Sequence, residues 1–137
     1  MTPGRILRHA SALGAAEWRT LAAACVLQLA LRSLIAVWTL DRVSSFTAFR
    51  PAHRVPPVDA TRLRRLVGWS TRLCGGTCLT ESFALRALSA RRGVDLPVTV
   101  GVFRDATVLH AHAWAGDAES GSFLPLWRSS GGRSEPQ

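Results

Sequence analysis

Cys78 opens an apolar-periodic stretch, Cys78-Leu79-Thr80-Glu81-Ser82-Phe83-Ala84-Leu85, and a later stretch reads His110-Ala111-His112-Ala113-Trp114. A thiol and an imidazole on separate elements are the parts of a nucleophile and its base. The periodicity predicts a helix starting at Cys78, with Leu79, Phe83, Leu85 and Leu88 on its buried side. The positive end of a helix dipole stabilises a thiolate, the attacking species. N–H groups of a first helical turn lack intrahelical acceptors and point outward, so the N–H of Cys78 can hold the oxyanion of a tetrahedral intermediate. Gly75 and Gly76, just before it, let the chain turn sharply and let a peptide approach closely. A buried, inert cysteine at a helix start is the alternative that these residues alone leave open.

The elements that must position these groups follow from pattern. The Cys78 helix is expected to run to Arg91, with Gly93 as its stop and Arg91 and Arg92 against the negative end of its dipole. Val98 to Phe103 and Val108 to Trp114 read as antiparallel strands around a turn at Arg104 to Thr107, and Phe123 to Trp127 as a third strand. Alternation puts His110, His112 and Trp114 on one face of the second strand, from which both histidines can face the Cys78 helix. Upstream, Asp59 is placed to cap a helix with Leu63, Leu66, Val67 and Trp69 on one side and Arg62, Arg64 and Arg65 on the other. Pro51, Pro56 and Pro57 mark the preceding segment as a linker.

Taken together, Cys78, Leu79, Ser82, Ala84, Leu85, Arg91-Arg92-Gly93, Gly101-Val102 and Ala111-His112-Ala113-Trp114 resemble the transglutaminase-like cysteine peptidases of lasso peptide biosynthesis, the leader-peptidase B proteins. The likeness is close over about residues 74–128 and looser over the apolar N-terminal helix. It implies an α+β fold of papain-like or transglutaminase-like type, with a helical N-terminal half and a Cys-bearing helix packed on a small antiparallel sheet. It also implies a function: endoproteolytic removal of the leader from a ribosomally made precursor peptide, with Cys78 as nucleophile and His112 as base. Gly76, His110 and Trp114 would then contact substrate. The implied partners are the precursor peptide, a small leader-recognition protein and an ATP-dependent cyclase that closes the macrolactam. No metal or organic cofactor is implied.

The third catalytic residue departs from the family pattern. Such peptidases usually carry an Asp on the strand after the histidine, but here that strand reads Phe123-Leu124-Pro125-Leu126 and holds no acid. Glu119 is the first choice to orient the His112 imidazole, with Asp117 and Ser122 as alternatives on the same turn. If none does so, the protein is a catalytically impaired homologue that binds the precursor or stabilises the cyclase.

Composition bounds the remainder. The 137 residues suffice for one domain with a core of ordinary size, and a hydrophobic share of 47% argues against disorder. Residues 1–57 are expected to form an N-terminal helical region and linker, 58–128 the peptidase core, and 129–137 a disordered tail. The net charge of +8 rests entirely on arginine and favours an acidic peptide or an anionic membrane. No basic run with interleaved aromatics points to nucleic acid. Three cysteines form no secreted-type disulfide framework and fit the reducing cytoplasm. Cys25 lies in an apolar run and reads as a small buried hydrophobe, and a zinc site at Cys74 and Cys78 would need His110 and His112 as further ligands. Residues 17–40 approach the length of a membrane span, but Gln28 and Arg32 interrupt them. They are expected to form a soluble helix packed on the catalytic half, with membrane contact as the alternative.

Overall fold

The computed structural model describes residues 13–48, 59–116 and 122–129. Four helices precede a three-stranded sheet: α1 (Ala15–Val37), α2 (Leu40–Thr47), α3 (Ala60–Cys74), α4 (Cys78–Ala90), β1 (Val98–Asp105), β2 (Val108–Ala115) and β3 (Leu124–Arg128). The apolar stretch read as one run from residue 17 to 40 is a single helix, α1, as far as Val37, and only Leu40 of it falls in α2. Trp38 and Thr39 take extended backbone angles between them. The break re-aims the chain so that Val43 enters the core and Asp41 reaches β3, where its Oδ1 accepts from Trp127 Nε1 at 3.2 Å.

α4 is the central element. Everything from Ser82 to Ala90 is buried, not one face alone. Phe83, Ala84, Leu85 and Leu88 join Ala24, Leu31, Val43, Leu63, Val67, Val98 and Ala115 in the main core, and Leu21, Leu66 and Trp69 form a smaller cluster between α1 and α3. On α3 the expected division holds: Leu63, Leu66, Val67 and Trp69 are buried, while Arg62, Arg64 and Arg65 are exposed. Asp59 takes the N-cap position without a side-chain cap bond. α4 ends at Ala90, and Gly93, at φ +81°, completes the turn that follows.

β1 is the middle strand, with β2 and β3 antiparallel on either side. Gly101 pairs with His112 on one side and Pro125 on the other, beside an irregularity at Val100/Gly101. Proline is tolerated there because β3 is an edge strand. Gly101 is a packing requirement: a Cβ on it would lie 2.9 Å from both the Leu124 carbonyl oxygen and the Trp114 ring. Ser129, the first residue of the expected tail, is buried. Its N–H donates to Val98 O at 2.8 Å, and its Oγ accepts from the Val98 N–H at 2.8 Å and from Arg86 Nη1. The rest of that tail and the linker from Pro51 to Pro57 lie outside the described residues.

Candidate active site

The approach to Cys78 is built by helix ends. α3 closes at Gly75, whose φ of +64° suits a residue without a Cβ. The N–H groups of Gly75 and Gly76 both donate to Thr71 O, the latter at 2.8 Å. A Cβ on Gly76 would meet Gln28 Oε1 at 2.7 Å, Thr80 Oγ1 at 2.9 Å and Thr71 Cγ2 at 3.1 Å. Thr77 then caps α4 reciprocally: its N–H donates to Thr80 Oγ1 at 2.9 Å, and its Oγ1 accepts from Thr80 N at 3.4 Å. This is a capping box with threonine in place of the usual Glu or Gln. Cys78 is therefore the first helical residue, partly exposed, with its carbonyl accepting from Ser82 Oγ at 2.8 Å. In that position its N–H has no intrahelical acceptor and is available to an oxyanion.

Sequence reasoning missed what holds this turn in place. Gln28 of α1 is fully buried and donates from Nε2 to Thr71 Oγ1 at 2.7 Å, while Arg32, one turn later, donates from Nη1 to Cys74 O at 3.0 Å. The two residues that interrupt the apolar run thus clasp the end of α3 and the glycine turn before Cys78. The available signal was their spacing of four on an otherwise apolar helix, which puts both on one face. Glu81 lies beside α3, its Oε1 3.6 Å from where a Cβ on Gly68 would stand.

The other cysteines have different surroundings. Cys74 Sγ lies 3.9 Å from Cys25 O. Burial, then the hydrogen bond and charge of Cys74, push the Cys25 thiol from its ordinary 9.0 up to about 11. Cys25 is therefore protonated at neutral pH and a poor nucleophile.

His110, His112 and Trp114 share one face of β2, as alternation requires, but it is not the face that meets α4. Ala113 and Ala115 are buried on the helix side, with Ala115 in the core beside Ala84; Val100, which pairs with Ala113, also pairs with Trp127, whose ring packs on Phe83 of α4. The expectation that both histidines face the helix is corrected accordingly. The side of β2 turned to the helix carries small alanines, while the larger rings stand on the other side. On the outer face, His112 stacks on Trp114 at 6.1 Å between ring centroids and lies 5.4 Å from Phe123, while Phe103 stacks on His110 at 6.5 Å. Both histidines are exposed. Among the described residues no hydrogen bond joins Cys78 to His112. Phe123 brings the entry to β3 against the imidazole, and Ser122, just before it, is exposed. Asp117 and Glu119 lie outside the described residues.

A family model described as Transglutaminase-like superfamily matches residues 19–120, a span running from α1 through both histidines. The chain belongs to the transglutaminase-like superfamily. No curated protein and no solved structure gives a match. For a transglutaminase-like domain, the α+β arrangement of helices and a small antiparallel sheet is the expected one. The superfamily includes cysteine peptidases. The matched span takes in most of α1, which carries the clasp of Gln28 and Arg32.

Proposed function

We propose that this chain is a cysteine endopeptidase that removes the leader from a ribosomally made lasso precursor peptide. Cys78 Sγ attacks the carbonyl carbon of the bond joining leader to core, and the Cys78 N–H receives the developing oxyanion. His112 takes the thiol proton and passes it to the leaving amine, which is the new N-terminus of the core. Water then hydrolyses the thioester and releases the leader. A small leader-recognition protein delivers the precursor, and an ATP-dependent cyclase uses the freed amine to close the macrolactam. The reaction belongs in the reducing cytoplasm, where free thiols persist.

The observation that carries this reading is Cys78 as the first residue of a reciprocally capped helix, held behind a clasped glycine turn, in a transglutaminase-like chain. Catalysis by the pair requires the His112 imidazole to reach the Cys78 thiol when the precursor binds. Catalytic contacts are commonly loose in free enzymes and tighten in the substrate complex. The test is mass spectrometry of a precursor peptide incubated with this protein and its recognition partner. A product with the mass of the free core, absent with Cys78→Ala, supports the reading. An intact precursor with the parent protein and partner overturns it.

A further inference from the structure

α1 is long and apolar enough to cross a membrane, yet only 28% of its most apolar stretch is buried within the fold. Its inner face is committed: Ala24, Gln28 and Leu31 are fully buried, and Gln28 and Arg32 hold α3. Its outer face is apolar as well. Ala22, Val26, Leu29, Ala30, Ser33 and Val37 are exposed at helical spacing and carry no charge. Val26, Leu29 and Val37 are 68%, 54% and 75% exposed. An uncharged apolar strip of this length on one helix is an interaction surface. Tryptophans stand at both ends: Trp18, beside exposed Arg19, and Trp38, whose ring meets exposed Phe46 edge-on at 6.1 Å.

We infer that this outer face seats on an anionic lipid surface, with α1 lying in the interface plane rather than crossing it. Three observations select that occupant. The strip lies on a single helix with exposed tryptophans at its ends, whose amphipathic rings favour the headgroup level. The chain carries 17 basic against 9 acidic residues, and Arg5 and Arg8 precede α1 with no acid among residues 1–12. That charge draws it to an anionic leaflet and opposes pairing with a second copy of itself. Crossing the bilayer would tear Gln28 from Thr71 and Arg32 from Cys74 and place both in hydrocarbon.

The test is flotation of the full chain with vesicles of phosphatidylcholine alone or with about 30% phosphatidylglycerol. The protein should float with the anionic vesicles, stay behind with the neutral ones, and be released by high salt or carbonate. Val26→Asn with Leu29→Asn, both at exposed positions, should lower the bound fraction roughly tenfold with the melting temperature nearly unchanged. An Arg19→Gln variant, which leaves the apolar face intact, should weaken binding by a smaller factor and reduce its salt dependence. Failure of the parent protein to float with anionic vesicles overturns the inference. So does carbonate-resistant retention, which would mean insertion, or a dimer in sedimentation that the Val26→Asn and Leu29→Asn changes dissociate. Cleavage of a soluble precursor should be indifferent to these changes, so this inference and the peptidase reading fail separately.

Discussion

At the scale of single residues, the three cysteines differ by where the chain places them. Cys78 alone stands at a helix start with a first-turn N–H beside it; Cys25 is held protonated by burial and by Cys74. Iodoacetamide near neutral pH should therefore label Cys78 first and Cys25 slowest, read by peptide mass mapping. Cys78→Ala should abolish cleavage while Cys74→Ala and Cys25→Ala retain it. Faster labelling of Cys74, with a dead Cys74→Ala, would move the nucleophile. For the base, His112→Ala should lower the cleavage rate roughly 100-fold or more, and His110→Ala less, since His110 stacks on Phe103 at the far end of the strand. Phe123 lies against the His112 ring, which brings the entry to β3 beside the imidazole, and Glu119 is the first choice to orient it. Glu119→Gln should then depress cleavage strongly with little change in melting temperature. Parent rates for Glu119→Gln, Asp117→Asn and Ser122→Ala alike would mean that a more distant residue orients His112 or that the protein works as a Cys-His dyad.

At the scale of elements, the site depends on the junction between α3 and α4. Gly75 supplies the left-handed turn, and Gly76 leaves the space that Gln28, Thr71 and Thr80 fill. Gly76→Ala forces a methyl against Gln28 Oε1 and Thr80 Oγ1, the second of which belongs to the α4 cap. Overpacking of this kind costs about 1–3 kcal/mol, measurable by urea denaturation. The cleavage rate should fall by more than that loss of stability explains, because the displaced segment carries Cys78. Gly93→Ala is the matched control. It faces open space and bears only the strain of its φ of +81°, so it should lose stability without losing activity in the remaining folded protein.

Across the whole molecule, the last described residue fastens the first strand to the central helix. Arg86 is 1% exposed; Asp95 Oδ1 lies 3.5 Å from its Nη2, and Ser129 Oγ accepts from its Nη1. Burial presses the guanidinium pKa down and the Asp95 charge opposes that shift. Ser129 also exchanges both hydrogen bonds with Val98, at the head of β1. Ser129→Ala removes the acceptor that a buried guanidinium and a buried backbone N–H share, which should cost about 1–3 kcal/mol. A melting temperature equal to the parent's would show that the Ser129 hydroxyl contributes nothing to the fold.

Much of this was legible in local chemistry. Apolar spacing marked the helix from Cys78, the amphipathic α3 and three strands, because helix and strand periods are set by backbone geometry alone. The glycine pair likewise marks a break in the chain just before the helix start. Alternation put His110, His112 and Trp114 on a common face but could not say which way that face turns. That depended on α4 packing against the alanine side of β2, where small side chains permit close approach. Gln28 and Arg32 read locally as flaws in an apolar helix; their partners Thr71 and Cys74 lie more than forty residues away. Whether a polar group is a liability or a clasp is decided by what sits opposite it, and only the tertiary structure brings distant segments into that position.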